Sequence, residues 1–277
     1  MLIIETEYMI LNRISWLLKR HPFLYMARFK LLSKNSSIEA IENQSYNLKN
    51  EIKDIPDLFN EVNTVIFKDG KPKNDIDLVK QLSVWLQNNI KGGPGLSEPS
   101  AEALKIMLAG KGGVCSDIAQ IFNNFCVINN IQVREWGNTR APFSKDYGGH
   151  SFNEFFSKSL NKWVLIDVSY SLFFYNKNKE VPLSVLELYE FFPEQSGIYF
   201  KSFNDVKTVD EKNITKNYLH HDTIAFLICN YSNKTYDAFL KRTRPHIPVF
   251  MTHFVIFLLG KSYHYRFPLH NYKEIFS

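Results

Sequence analysis

"GKGGVCSDIA", residues 110–119, sets a cysteine directly behind a glycine-rich stretch and ahead of Ile118, Ile121, Phe122 and Phe125, which recur at helical spacing. A helix that starts at Cys115 leaves its first N–H groups unbonded and its positive end beside the thiol, and both stabilise a thiolate. Gly112 and Gly113 let backbone or substrate approach closely. A free cysteine in a helix is also a common core residue. What stands within reach of Cys115 decides between a nucleophile and a buried thiol.

Outward from this stretch the chain alternates readable elements with turns. Upstream, "FKDGKPKNDID" (67–77) is a turn around Gly70 and Pro72. It leads into a helix over "LVKQLSVWLQNNI", with Leu78, Leu82, Trp85 and Leu86 on one face and Asp75 or Asp77 as its cap. "KGGPGLSEPS" breaks that helix, and "SAEALKIMLAG" restarts one, with Ser100 as N-cap and Gly110 as the stop. Downstream of Cys115 the period changes to two: "IQVREWG" reads as a strand, "NTRAPFSKDYGG" as a loop, and "HSFNEFF" and "KWVLIDVS" as two strands. A four-residue loop, Ser157 to Leu160, sets Phe156 opposite Asn161 and hence His150 opposite Asp167. Directly opposed residues share a face of the sheet. Asp167 interrupts the apolar run "WVLIDV", where a buried charge needs a partner. A carboxylate on one ring nitrogen of His150 would free the other to act on a thiol. A structural His–Asp pair with no catalytic role is the other reading.

Beyond residue 180, "LSVLELYEFF" is a helix with the capping-box pair Ser184 and Glu187, and "GIYFKSF" is a strand. "HDTIAFLICNYSNKTYDAFLKR" is helical in part. "IPVFMTHFVIFLLGKSYHYRFPL" is either a hairpin across Gly260 or a buried helix followed by a strand. At the other end, residues 8–33 read as a basic amphipathic helix, with Ile10, Ile14, Leu17 and Leu18 on its apolar face and Pro22 kinking it. Such a helix packs on the protein's own core or lies on an anionic membrane surface. "SKNSSIEAIENQS" (33–45) is a polar connection.

Composition narrows the function class. The chain has 277 residues, 45% of them hydrophobic, with 23 Phe and 14 Tyr; it builds a packed core rather than a disordered coil. A net charge of +5 is too small and too dispersed to indicate nucleic acid. Cys115, Cys126 and Cys229 show no metal-ligand spacing and no disulfide framework, so a reducing compartment and no cofactor are expected. The doublet His220–His221 lacks a third ligand and reads as surface, and Cys126 and Cys229 read as core. The acidic Glu5 and Glu7 argue against a signal peptide, and no apolar stretch reaches membrane-spanning length. A cytoplasmic protein, with peripheral membrane contact open through the N-terminal helix, is the expectation.

Four pieces, "GGVCSDIAQIFNNF", "IQVREWG", "GGHSFNEFF" and "KWVLIDVS", together resemble the core of the transglutaminase-like superfamily of papain-type cysteine enzymes, over roughly residues 76–175. The resemblance implies an α+β fold with helices packed against an antiparallel sheet and the cysteine at a helix N-terminus. It implies a triad of Cys115, His150 and Asp167 and acyl transfer through a thioester, from an amide or ester donor to an amine or water. The Cys115 N–H is then an oxyanion donor. Phe152 stands where the family usually has Trp, and Val168–Ser169 where it has Pro-Thr, so the substrate does not carry over. No acidic cluster matches the calcium sites of animal transglutaminases. The expected organisation is an N-terminal helical extension (1–70), the core (71–180) and a C-terminal α/β extension (181–277).

Three further residues are candidates for substrate binding. Arg134 binds a substrate carboxylate or forms a salt bridge within its strand. Trp136 lines the cleft or packs in the core. Gly113 lies beside the cysteine. Two other functions stand as alternatives: an arylamine-acetyltransferase-like enzyme, which shares a Gly-Gly-x-Cys start, and an inactive binding module docked on a membrane surface.

Overall fold

A computed structural model describes residues 22–144, 146–177, 180–190 and 197–277, with the side chains of residues 22–25 left aside. Residues 8–21 of the expected N-terminal helix lie outside the described residues; α1 spans Pro22–Leu32. The expected polar connection instead supplies a short edge strand, β1 (Ser33–Asn35), and a helix, α2 (Ile38–Glu42). The Ser33 hydroxyl donates to Phe29 O within the chain's own turn, whereas the Ser36 N–H donates to the distant Phe267 O of the strand that β1 pairs with.

Four helices, α3 (Asp57–Ile66), α4 (Asp75–Asn89), α5 (Ser100–Leu108) and α6 (Cys115–Ile128), make one layer. Two expected caps are corrected. Asn74, not Asp75 or Asp77, caps α4, because its side chain accepts from the Asp77 N–H at 2.7 Å. Ser100 is the first residue of α5, not its cap: its N–H and hydroxyl both donate to Asp237, 2.7 and 2.6 Å away. Gly110, with φ +69, ends α5 as expected.

The strands β2 (Val133–Arg140), β3 (His150–Ser157), β4 (Lys162–Ile166), β7 (Thr223–Cys229) and β8 (His264–Phe267) complete a six-stranded sheet in the order β1-β8-β7-β2-β3-β4. Every pairing is antiparallel except β1 with β8. β2 runs through Asn138, Thr139 and Arg140, which the sequence reading assigned to a loop. A separate ribbon pairs β5 (Leu172–Asn176) with β6 (Ile198–Ser202). The remaining α-helices among the described residues are α7 (Val185–Glu190), α8 (Glu211–Tyr218), α9 (Asn233–Thr243) and α10 (Val249–Leu258). The Ser184–Glu187 capping box closes reciprocally at α7. Near Gly260 a helix followed by a strand is found, but the helix is not buried as expected: Met251, Phe254 and Leu258 of α10 are exposed.

Alternation in the strands sends side chains to both faces of the sheet, where they join three apolar clusters, one of them around Phe29, Phe226 and Phe267. Val133, Phe155, Val164 and Ile166 pack with Phe122, Phe125 and Leu82 under the helical layer. Trp136, Phe152, Leu165 and Leu227 pack on the opposite face with Leu188 and Tyr218. The architecture is α+β, with helices against a mostly antiparallel sheet, as expected.

Candidate active site

The start of α6 is held rigidly. Gly113 N–H donates to Pro94 O and Gly93 N–H donates to Gly113 O, each at 2.9 Å. Asp117, in the first turn, accepts from the Val114 N–H at 2.9 Å and the Leu96 N–H at 3.2 Å, which caps the helix and ties it to the glycine-rich loop. Gly113 adopts φ +114, and a Cβ there would stand 2.6 Å from Met107, so a side chain has neither the conformation nor the space. These contacts fix the half-buried Cys115 at the helix N-terminus.

His150 opens β3 behind Gly148 and Gly149, which take φ +70 and +94. Its Nε2 stands 2.7 Å from Asp167 Oδ2. Asp167 lies just past β4 in an isolated bridge with Leu172, fully buried. The register differs from the expected one by two residues. Ser157 pairs with Lys162 and Asn153 with Ile166, so the loop is 158–161. Asn161 takes φ +51, a conformation Asn tolerates, and this places the turn one residue later than expected. Asp75 holds the loop by accepting from the Lys158 N–H and the Ser159 hydroxyl. A slip of two preserves the face, so His150 reaches Asp167 diagonally rather than directly.

Electrostatics couple the three groups. Burial works to raise the Cys115 pKa, but hydrogen bonding to His150, the imidazolium charge and the Ser151 N–H, 3.4 Å from Sγ, bring it below the usual thiol value. Burial works to lower His150, yet Asp167's charge and hydrogen bond, with help from Cys115, push it up to about 10. Each group thus stabilises the charged form of the other. Asp167 is anchored on both oxygens: Oδ1 accepts from the Ser169 N–H at 2.9 Å, and Oδ2 also accepts from the Tyr218 hydroxyl at 2.6 Å. Tyr218, from the end of α8, packs edge-on against the imidazole and Phe152. No spacing rule links residue 218 to 167, so the sequence reading missed it.

Two cavities meet at Cys115 and His150. One, of about 840 Å3, is lined by Gly113, Val168, Tyr170 and Lys207 among others. The other, of about 530 Å3, runs past Glu135 to Tyr231, Tyr236 and Tyr263. Arg134 and Trp136 belong to neither, which corrects their placement as cleft residues. Arg134 Nε and Trp136 Nε1 both donate to Glu154 Oε2 at 2.6 Å, and the guanidinium lies 4.0 Å over Trp163. Alternation explains this, because both side chains point from β2 into the core opposite α6. Glu135, between them, lines the cavity, as does Asn138 further along β2; the sequence reading names neither.

Cys126 and Cys229 are buried in the cores. His220 and His221 do have a third neighbour, the adjacent Asp222, with His221 Nε2 3.1 Å from its carboxylate; this trio, of which only His221 is exposed, lies outside both cavities. Among the described residues no helix is long and apolar enough to cross a membrane.

Comparison with curated proteins gives no match. Among solved structures, one described as "a Putative Cysteine Protease from Cytophaga hutchinsonii" aligns at 17% identity and a TM-score of 0.32. That alignment covers 52% of this chain and 47% of the other, about half the length of each. Residues 65–168 match the model of the transglutaminase-like superfamily. That segment runs from the end of α3 through Asp167 and holds Cys115, His150 and the strands between them; over these residues the chain is similar to the transglutaminase-like superfamily.

Proposed function

We propose that the protein catalyses cysteine-dependent acyl transfer or hydrolysis through a thioester, with Cys115 as nucleophile, His150 as acid–base and Asp167 as its orienting carboxylate. The observation that carries this reading is a thiol of lowered pKa at the N-terminus of α6, beside an imidazole bonded at 2.7 Å to a buried carboxylate, inside a transglutaminase-like core.

The Cys115 thiolate adds to an amide or ester carbonyl, forming the S–C bond and an oxyanion. As a first-turn donor of α6, the Cys115 N–H is free of helical bonding and suits that oxyanion. Collapse of the intermediate breaks the carbonyl bond to the leaving nitrogen or oxygen, which takes a proton from the His150 imidazolium. A thioester and neutral imidazole result. Water or an amine then attacks the thioester, His150 accepts the nucleophile's proton, and the thiolate leaves as product forms. Asp167 keeps its charge and holds the ring in place.

Incubation with an activated ester tests this by intact mass. A hydroxylamine-labile acyl adduct on the unchanged protein, absent in a folded Cys115→Ala variant, is expected. An adduct that persists in Cys115→Ala would overturn the proposal.

A further inference from the structure

Glu135 is a buried carboxyl beside the proposed nucleophile that the acyl-transfer steps do not use. It is 3% exposed, sits on β2 opposite Asn153, and lines the smaller cavity with Cys115. Gln120 Nε2 and Asn123 Nδ2, both from α6, donate to it at 3.3 and 3.1 Å, and both bonds fall on Oε2. Oε1 receives neither bond. Beyond it the cavity is walled by tyrosines: Tyr231 stacks on Tyr236 at 4.4 Å, and Tyr263 lies 5.7 Å from Tyr236. A carboxylate with an open oxygen and aromatic rings around it is the chemistry that recognises an alkylammonium group.

We infer that this cavity takes an alkylammonium group carried by the substrate, held by Glu135 Oε1 and bounded by the tyrosine wall, so that Glu135 selects cationic substrates for Cys115. The inference rests on the acyl-transfer reading of that site, and it adds a specificity residue from a position of β2 that points away from Arg134 and Trp136.

The charges around Glu135 fit a cation. Cys115 and Asp117 face it from α6, and each adds negative charge that opposes its ionisation. Tyr46 and Tyr231 stand near enough for Glu135 to raise their own pKa values. Elsewhere in the cavity lie Glu98, ion-paired with Arg244, His253, and Arg28, whose guanidinium donates to the Tyr263 hydroxyl at 2.8 Å. Burial first, then the neighbouring negative charges, push the Glu135 carboxyl up to about 8, despite the two amide donors. An arriving cation reverses that balance, so it binds more tightly as pH rises through 8, with loss of the Glu135 proton.

The test compares Cys115 modification rates at pH 8.5 for methanethiosulfonates bearing an ethyltrimethylammonium, an uncharged ethyl or an ethylsulfonate group. The cationic reagent is expected to react about tenfold faster than the uncharged one. In Glu135→Gln that ratio, taken against the uncharged reagent's rate in the same variant, falls to within about twofold. A ratio near one in the unchanged protein, or one that Glu135→Gln leaves intact, overturns the inference. Protection gives a second measurement that needs no variant: 1,4-diaminobutane slows modification by the uncharged reagent and 1,4-butanediol does not. Equal effects of the two also overturn it. The uncharged reagent alone reports on the acyl-transfer reading, through its dependence on His150, so the two ideas fail separately.

Discussion

At the scale of single residues, Asp167 holds the site together. Its Oδ2 serves His150 and Tyr218 at once, and Oδ1 serves the backbone of Ser169. Tyr218→Phe removes one hydrogen bond to a buried charge and leaves packing intact. It should lower stability by about 1.5–3 kcal/mol, read from the urea midpoint, and slow acylation of Cys115. Unchanged stability would mean that Tyr218 does not bond the carboxylate in solution. The three residues of the proposed triad were legible because each breaks a pattern: Cys115 closely follows glycines, His150 follows glycines, and Asp167 interrupts an apolar strand. Tyr218 and Glu135 break none. Tyr218 lies 51 positions from its partner, and Glu135 is one of two adjacent charged residues in "VREWG".

Elements show what periodicity captures and what it leaves open. The helix from Cys115 and the two strands of the hairpin follow from apolar spacing alone. The hairpin register does not, because it turned on which residue takes the left-handed position, and Asn161 rather than its predecessor does so. Face assignment survived, since a two-residue slip keeps parity. The same alternation that points Glu135 into the cavity sends Arg134 and Trp136 to Glu154 in the opposite core. Glu154→Gln weakens a fully buried ion pair that also anchors the Val185 N–H. A loss of about 3–5 kcal/mol in thermal or urea unfolding is expected; a loss under about 1 kcal/mol would contradict the buried pair. Gly113→Ala tests the loop before α6. It forces φ +114 on a residue with a Cβ that meets Met107, so the variant should be destabilised by more than about 1 kcal/mol and label more slowly at Cys115. A variant as stable and as reactive as the unchanged protein would show that the loop is not built as described.

For the whole molecule, one sheet draws strands from near the N-terminus, the centre and the C-terminus, so the site sits where distant segments meet. α8 and β7, beyond the matched core, supply Tyr218 and the strand next to β2. That contribution was not legible, because the apolar runs after residue 180 fit helix or strand equally and nothing local says which edge they join. Folding stability should also report the site's charge. His150 is raised from 6.5 to about 10 in the folded chain, so the stability it adds is fully present below pH 6.5 and is lost as pH climbs through about 10. His150→Ala should therefore cost most at low pH, with the difference in urea midpoints shrinking between pH 6.5 and 10. A difference that grows over that range would contradict the raised imidazole.

The most direct measurement is the rate of Cys115 alkylation by iodoacetamide against pH, in the unchanged protein and in His150→Ala. An imidazole-paired thiolate predicts fast labelling below pH 7 that His150→Ala suppresses. Slow labelling that follows an ordinary thiol, with a midpoint near about 8.5 and no response to His150→Ala, would contradict the proposed nucleophile.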